Sequence, residues 1–340
     1  MVGTSSGDNS HPHDSLLSVL SGEAESNKES APGRASSTGL PRWAVGPVST
    51  NGAAPDATRL DIVELLVRDL DLMTHFYSDA LTLDVLDQSG HTVTLGSGRV
   101  PSIVLRHEKN LPPRSQNSAG LYHTAIVFED SHRLASALGS MAQKASSLYQ
   151  GSADHLVSEA FYFADPEGNG LELYRDRDRD EWDVSADGTV RMGTEYLDPN
   201  EFLARWYDTD MIASTSNDSN ASAMIGHVHL QVGDIPTARV FYEGILGFDV
   251  TLDMGSALFL SAGGYHHHIG MNTWNSAGAG PRAASLGLGD VRIMVPERED
   301  VEALAERLRF HQIGSEDDGR TLRLVDPWGT KLAVSPRVWN

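Results

Sequence analysis

Two histidines and one glutamate stand at matched positions in segments of the sequence that repeat. His123 lies seven residues before Asp130, His227 lies seven residues before Asp234, and Glu172 lies six residues after a turn proline. Two imidazoles and one carboxylate can hold a divalent metal ion and leave one side of it open for two further ligands. The pattern therefore predicts a metal site of His123, His227 and Glu172, although a single strand histidine is more often a hydrogen-bonded structural residue.

His229 is the competing ligand on the same strand. It lies on the same face as His227, because strand side chains alternate with a period of two. The seven-residue spacing to an aspartate, which His123 shares, favours His227. His229 is then expected in the pocket beside the metal.

The segments around these residues belong to an internal duplication. Around Asp69 the sequence reads LLVRDLDLMTHFYSDALTLDV, and around Asp234 it reads LQVGDIPTARVFYEGILGFDV. Two turns also match, with DPEG before GLELY and DPWG before KLAV. Each copy predicts a short strand, an Asp-capped helix with a buried Phe-Tyr pair, and further strands. The chain thus divides into four units of roughly 50 residues. They cover about 59–110, 119–176, 224–276 and 284–337.

Only the second and third units carry metal ligands at the matched positions. The register of the ligand histidines puts Ile62 in unit one and, with a less certain alignment, Asp290 in unit four. The glutamate position on the last strand is Ala333 in unit four. Because the two histidines belong to different units, a complete site requires units two and three to face each other. We expect this pair to surround the metal and units one and four to form an empty, structural pair.

Composition shifts predict the domain organisation. Residues 1–57 are rich in Ser, Gly, Asn, Pro and acidic residues, which is typical of a disordered tail. Units one and two would occupy 58–176, and units three and four 224–337. The connecting segment 177–223 ends in the polar stretch 214–223, which is typical of a linker or a long loop.

The charge balance excludes several classes of partner. The 340-residue chain has 47 Asp and Glu residues against 26 Lys and Arg, a net charge of −21, and a pI near 4.9. Such a surface repels nucleic acid and anionic membranes. Nearly all of the positive charge is arginine, and an acidic chain with few lysines is typical of a halophilic, high-salt cytoplasm.

The absence of cysteine excludes disulfides, thiolate metal sites and cysteine nucleophiles. Any metal must therefore be bound by His, Asp or Glu. No apolar run approaches the roughly 20 residues of a spanning helix, and the N-terminus has no signal-peptide pattern. A cytoplasmic protein is expected, and homo-oligomerisation stays open.

Taken together, the repeats resemble the vicinal oxygen chelate superfamily over most of residues 59–337. In that superfamily, βαβββ units pair into cupped sheets around a metal ion. The segments IGHVHLQVGD, FYEGILGF, GYHHHIGMNTW, GLYHTAIVFED and SEAFYFADPEGNGLELY are more narrowly similar to its catechol 2,3-dioxygenase branch. The resemblance implies an α+β fold of four βαβββ units that pair into two cupped mixed sheets, after a disordered N-terminal tail.

The resemblance also implies roles for residues beside the metal. Alignment on Ile269-Gly270 places His267 at the acid–base position of the extradiol enzymes, with a polar strand edge or adventitious metal binding as the alternative. If the strand is regular, His266 and His268 point to its opposite face. Tyr162 has the spacing of a tyrosine that hydrogen-bonds a substrate oxygen, and His155 resembles a further active-site histidine. An apolar slot for an aromatic ring would be lined by Phe161, Met271 and Trp274, with core packing as the alternative, and His229 would complete the substrate pocket.

The resemblance implies that the function is extradiol ring cleavage of a catechol with O2. The reaction would depend on Fe(II), with manganese as the alternative metal. The product would be a muconic semialdehyde-type compound, and the partners would be a small aromatic diol and O2. One alternative is a glyoxalase-type isomerase or lyase, whose usual fourth ligand would have to come from the histidines at 266–268. Another is a metal-free small-molecule binding protein of the same fold.

Overall fold

The four sequence repeats fold as four βαβββ units. The computed structural model of the protein describes residues 53–186, 189–208 and 223–337. In each unit one strand leads into a helix, and three further strands follow. In units one to three, an aspartate side chain accepts a backbone N–H from the first turn of the helix, which satisfies a donor that the helix leaves unpaired. These caps are Asp69, Asp130 and Asp234.

Units one and two precede the connecting segment. Unit one consists of β1 (Arg59–Val67), α1 (Leu70–His75, continued by a π-helical turn at Phe76–Ala80), β2 (Asp84–Ser89), β3 (Thr92–Ser97) and β4 (Val100–His107). Unit two consists of β5 (Gly120–Phe128), α2 (Ser131–Lys144), β6 (Tyr149–Asp154), β7 (Ser158–Ala164) and β8 (Gly170–Asp176).

The connecting segment contains α3 (Pro199–Trp206). Unit three consists of β9 (Ala223–Gln231), α4 (Ile235–Arg239, continued by a π-helical turn at Val240–Ile245), β10 (Asp249–Asp253), β11 (Ala257–Ser261) and β12 (Ile269–Asn272). Unit four consists of β13 (Gly287–Val295), α5 (Arg298–Phe310), β14 (Ser315–Asp317), β15 (Leu322–Val325) and β16 (Lys331–Pro336).

Units two and three share one eight-stranded sheet, and units one and four share another. We call them the 2–3 sheet, with strand order β10-β11-β12-β9-β5-β8-β7-β6, and the 1–4 sheet, with strand order β14-β15-β16-β13-β1-β4-β3-β2. The first strands of the paired units meet antiparallel in the middle of each sheet. The predicted pairing of two with three and one with four is confirmed. Each sheet therefore draws one unit from 58–176 and one from 224–337.

Alternate residues of the strands face opposite sides of each sheet. One side packs with the helices into a continuous apolar core, to which Ile126, Leu173 and Val228 of the 2–3 sheet belong. The opposite side, which we call the cup face, carries a separate small cluster around Ala125 and Tyr174. The same strands thus build the core with one set of side chains and leave the other set available for a site.

Two buried tyrosines tie each sheet to the other. Tyr77, in the helical segment of unit one, donates its hydroxyl to Asp165 Oδ2 in the last turn of unit two at 3.1 Å. Tyr242, in unit three, donates to Asp326 Oδ2 in unit four at 2.9 Å. Burial raises the pKa of Asp165 to about 6, against the hydrogen bonds that favour its ionised form. The aromatic pairs predicted to serve helix packing therefore also hold the turns that lead into β8 and β16.

The predicted N-terminal tail lies outside the described residues from 1 to 52. Its last part belongs to the fold, because Ala54 is buried and donates its backbone N–H to the Gly247 carbonyl at 2.6 Å. The tail prediction therefore extends too far at residues 53–57.

The connecting segment is ordered where it is described, although the polar stretch at 214–222 lies outside the described residues. Phe202 of α3 packs into the main core, and Trp182 and Val190 form a cluster with Val157 of unit two. The segment is therefore part of the folded molecule. No helix within the described stretches is long and apolar enough to cross a membrane.

Candidate metal centre

His123, Glu172 and His227 meet on the cup face of the 2–3 sheet, and all three are buried. The Nε2 atoms of His123 and His227 lie 2.9 and 3.1 Å from the same carboxylate oxygen, Oε2 of Glu172. Among the described residues, this is the one group of three or more His, Asp or Glu side chains whose ligand atoms all lie close enough to share a metal ion, within 4.8 Å of one another.

The strand register explains why these three residues converge. Ala125 of β5 lies opposite Glu172 of the parallel strand β8 and opposite His227 of the antiparallel strand β9. His123 is two residues from Ala125 and therefore shares its face. A methyl side chain at this central position leaves room for the three larger groups around it.

The electrostatics of the three residues suit a divalent cation. Burial lowers the pKa of His227 to about 4, although the Glu172 carboxylate opposes that shift, so the imidazole is neutral at pH 7 with a lone pair to donate. Burial works to raise the pKa of Glu172, but the imidazoles of His227 and His123 hold it well below its usual value. The site thus presents a carboxylate anion at Glu172 and a neutral nitrogen donor at His227.

The donor set fits a metal ion of the kind that the sequence predicts. His123 Nε2 is buried and makes no hydrogen bond of acceptable geometry within the described part of the chain, despite its short distance to Glu172. A buried polar atom without a partner is costly. Coordination by both imidazoles and the carboxylate would satisfy it, and two nitrogens with one oxygen suit iron, manganese or zinc.

Tyr162 and His155 lie together beside the triad. The Tyr162 hydroxyl is 2.6 Å from His155 Nε2, and His155 Nδ1 is 2.7 Å from the Gly193 carbonyl of the connecting segment. Because a carbonyl only accepts, His155 carries its hydrogen on Nδ1 and Tyr162 donates to Nε2. Burial and the Glu172 charge raise the pKa of Tyr162 well above its usual value, so it stays a phenol.

The histidine run at 266–268 is not a regular strand, contrary to the alternation expected of it. Gly263 and Gly264 both have positive φ, near 63° and 66°, and turn the chain just before the run. His266 and His267 consequently lie side by side, with Nδ1 atoms 2.8 Å apart, and the His267 ring centroid is 4.1 Å from that of His227. The regular strand on which the opposite orientation of His266 and His267 depended is therefore not formed at these residues, and the strand begins only at Ile269.

His229 and Trp274 lie at the rim of the same site. The His229 ring centroid is 5.0 Å from that of His123 and 5.8 Å from that of Trp274, and its Nε2 faces the Asn272 amide at 2.9 Å. Trp274 is 49% exposed and packs edge-on against Tyr122. The structure thus brings both predicted pocket residues to the site, together with Tyr122 and Asn272, which no sequence pattern had singled out.

Phe161 and Met271 do not line the site, so their prediction as pocket residues is wrong. Both belong to the main core on the helix side of the 2–3 sheet, where Phe161 packs against Phe202. The reason is strand alternation: Tyr162 and Asn272 face the cup, so their neighbours Phe161 and Met271 face away.

Asp176 is a polar residue beside the site that the sequence analysis did not select. It lies in the run Arg175–Asp180, which predicts a solvated, self-paired segment. Instead its carboxylate lies 2.8 Å from both His266 Nε2 and the Tyr265 hydroxyl. The signal was present, because Glu172, Tyr174 and Asp176 alternate along one strand and share the cup face.

Gly270 occupies the position where a fourth protein ligand would lie. In unit two, the strand register pairs Ala125 of β5 with Glu172 of β8. At the matching position of unit three, the register pairs His229 of β9 with Gly270 of β12. A side chain there would meet the His229 ring, since an added Cβ would be 3.0 Å from its Nδ1. The unit-three counterpart of Glu172 is thus a glycine, and the histidines at 266–268, named as fourth-ligand candidates, precede it.

Residues 59–173 and 224–331 match the Glyoxalase/Bleomycin resistance protein/Dioxygenase superfamily, and the chain belongs to this family. It is 34% identical over 277 residues to a protein of Bacillus subtilis (strain 168) named catechol-2,3-dioxygenase, an alignment that covers 79% of this chain and 94% of that protein.

Solved structures share the fold at low sequence identity. One is a Bacillus subtilis protein provisionally described as a dioxygenase, with a TM-score of 0.58 and 13% identity over 83% of this chain and 86% of that one. Another is glyoxalase I of Zea mays, with a TM-score of 0.51 and 16% identity over 82% of this chain and 92% of that one. These likenesses concern the architecture of the paired βαβββ units.

Proposed function

We propose that this chain is a non-haem extradiol dioxygenase, which opens an aromatic diol with O2 at the ring bond next to the two hydroxylated carbons. The product would be a muconic semialdehyde-type compound. The observation that carries the proposal is the buried triad of His123, Glu172 and His227. The identity to a protein named catechol-2,3-dioxygenase supports it.

His123, His227 and Glu172 would hold Fe(II), with Mn(II) as the alternative metal. When bound, the metal would supply a common centre for the diol oxygens and O2. Three protein ligands leave room for these molecules. Gly270 at the fourth position favours this chemistry over a glyoxalase-type reaction that uses four protein ligands.

Tyr162 and His155 would bind one substrate hydroxyl and accept its proton. Because Tyr162 donates to His155 Nε2, its oxygen keeps lone pairs that accept a hydrogen bond from the diol. A proton that leaves the diol can then pass along the Tyr162–His155 hydrogen bond, while Gly193 fixes the His155 ring.

His267 would be the acid–base group on the other side of the triad. Burial and the neighbouring imidazoles lower its pKa well below the usual value, so it is neutral and able to accept a proton. Trp274 and Tyr122 at the rim would hold the aromatic ring of the substrate and limit the access of water.

The direct test is turnover by the full-length protein after anaerobic loading with a single metal. We expect Fe(II)-loaded protein to consume O2 when catechol is added in air and to give a yellow, ring-opened product. A Zn(II)-loaded sample is the control and should give neither. Tight metal binding without O2 uptake in both Fe(II)-loaded and Mn(II)-loaded samples would exclude the proposed reaction.

A second test separates acid–base chemistry from metal binding. We expect His267→Gln to slow turnover by about 100-fold or more, within the range typical of general acid–base groups, and to leave the iron content unchanged. Loss of iron in this variant would instead make His267 a metal ligand.

A further inference from the structure

A chain of hydrogen bonds connects His267 to the C-terminal end of β8 in the 2–3 sheet. His267 Nδ1 lies 2.8 Å from His266 Nδ1, and His266 Nε2 lies 2.8 Å from Asp176 Oδ1. The second oxygen of Asp176 accepts the Tyr265 hydroxyl at 2.8 Å, and Tyr265 is 2.7 Å from the Tyr174 hydroxyl. The His266 side chain is fully buried, whereas that of Asp176 is 28% exposed.

The directions of these bonds define the tautomers of the two rings. Asp176 accepts at both oxygens, so the hydrogen between it and His266 is on His266 Nε2. A His266 ring with its hydrogen on Nε2 has a bare acceptor at Nδ1, so the hydrogen between the two rings is on His267 Nδ1. This leaves His267 Nε2 without hydrogen, on a ring that packs against His227 and Phe259 of the cup face.

We infer that Asp176 and His266 are positioning residues, which hold His267 in the tautomer whose Nε2 is free to accept a hydrogen from the substrate. The inference rests on the proposed function only for the role of His267 in turnover. Without this support, the neutral His267 ring could carry its hydrogen on Nε2 and present a donor where an acceptor is needed. Mutation of an outer carboxylate that orients a histidine of a metal site typically lowers activity by 10- to 100-fold.

The surroundings of Asp176 distinguish it from the acidic residues next to it. Glu159 and Asp154 are paired with arginines, at 2.8 Å to Arg175 and 2.6 Å to Arg177. Within the described residues, both carboxylate oxygens of Asp176 are instead taken by Tyr265 and His266. Glu159 is therefore a matched control, since it lies on the adjacent strand in a hydrogen-bonded pair that does not reach the histidines.

The first experiment compares Asp176→Ala, His266→Phe and Glu159→Ala in the full-length, Fe(II)-loaded protein. We expect the first two variants to lower kcat by about 10- to 100-fold. Their KM should stay within about twofold and their iron content should not change, because the triad is untouched. Glu159→Ala should retain the kcat of the unmodified protein.

The second experiment reads the tautomers directly, without metal or substrate. In full-length, metal-free protein with 15N-labelled histidine, NMR should find hydrogen on Nε2 of His266 and on Nδ1 of His267. Asp176→Ala should shift His267 towards the Nε2–H form. This readout needs no turnover, so it still tests the positioning role if the protein cleaves no catechol and the proposed function fails.

Three results would overturn the inference. One is an Nε2–H tautomer of His267 in the unmodified protein. Another is an unchanged kcat in both Asp176→Ala and His266→Phe. The third is an equal loss of kcat in Glu159→Ala, because the effect would then be a general consequence of disturbing the strands.

Discussion

The 2–3 sheet and the 1–4 sheet are built in the same way but carry different residues on their cup faces. Both sheets have the same strand order and the same antiparallel pairing of their first strands. The registers of β1 with β4 and β13, and of β13 with β16, identify the counterparts of the site. In place of His123, Glu172, His227 and Gly270, the 1–4 sheet has Ile62, Val104, Asp290 and Ala333.

The 1–4 cup therefore has a single carboxylate where the 2–3 cup has three ligands. It also carries an ion pair, with Arg106 and Glu64 2.6 Å apart, at the positions of Tyr174 and Ala125. The large side chain beside the first strand of the same unit is thus charged in one sheet, at Arg106, and aromatic in the other, at Tyr174. Within the described residues, the three side chains predicted as metal ligands thus come together from units two and three, and unit one contributes none of them.

Features that the two sheets share are those that build the fold. Each has a tyrosine of the other sheet bonded to the aspartate of its last turn. Each also has a glycine at an irregularity of the central strand pair, Gly226 beside Tyr174 and Gly289 beside Glu64. The architecture therefore does not depend on the candidate metal ligands, which occupy cup-face positions that the core does not use.

The largest difference between the cups should appear when one carboxylate is removed from each. Glu172→Gln leaves two imidazoles without the anion. We expect metal affinity to fall by about 100-fold or more, which exceeds the typical effect of losing an outer partner, and turnover to fall to background. Metal content after dialysis against a metal buffer measures this.

Glu64→Gln is the control in the 1–4 cup. It should keep full metal content and lose about 1 kcal/mol of stability or less, because Arg106 is 43% exposed. Loss of metal in Glu64→Gln would mean that the two cups do not differ as described.

The second-largest difference between the sheets should be the loss of stability when Gly226 or Gly289 is replaced by alanine. In Gly226→Ala the new Cβ would be 1.8 Å from the Tyr174 hydroxyl oxygen, so a rigid, buried ring must move, and we expect a loss of about 3 kcal/mol in the free energy of unfolding. In Gly289→Ala the nearest atom is Oε1 of the more flexible Glu64, at 2.9 Å, and about 1 kcal/mol is expected. Urea denaturation measures both, and equal losses would contradict the comparison.

The smallest difference between the two sheets should appear at their paired tyrosines. Tyr77→Phe and Tyr242→Phe should each cost about 1–2 kcal/mol, because a buried carboxylate loses a donor. Burial raises the pKa of Asp165 from 3.8 to about 6. The hydrogen bond from the Tyr77 hydroxyl opposes this rise, because it favours the ionised carboxylate. In Tyr77→Phe this pKa should rise further, so stability should be lost more steeply as pH rises through the folded-state pKa.

The cost of Tyr77→Phe should therefore be greater at pH 7.5 than at pH 4.5. Below the unfolded-state pKa near 3.8 the carboxyl is protonated in both states, and the titration contributes nothing to the difference. Denaturation of the variant and the unmodified protein at both pH values measures this. A cost that is larger at pH 4.5 would show that the hydroxyl does not support the ionised form of Asp165.

Much of the fold could be predicted from the sequence because the repeated units are defined by separations between residues that are close along the chain. The distance from each strand to its capping aspartate and from each turn to its last strand defined the four units. The distribution of His123, His227 and Glu172 among them then required units two and three to pair. Errors arose where a shift of one residue along a strand decides which face a side chain lies on. Phe161 and Met271 face the core, whereas the residues next to them face the site.

The sequence by itself determined the repeats, the candidate ligand residues and the pairing of units, because these follow from residue type and separation along the chain. Only the tertiary structure decided which neighbours surround the ligands. Asp176 meets His266 across 90 residues of chain, and Gly270 meets His229 through a strand register. Both contacts depend on how turns and irregular strand pairs set the register between distant segments, and no local pattern encodes that register.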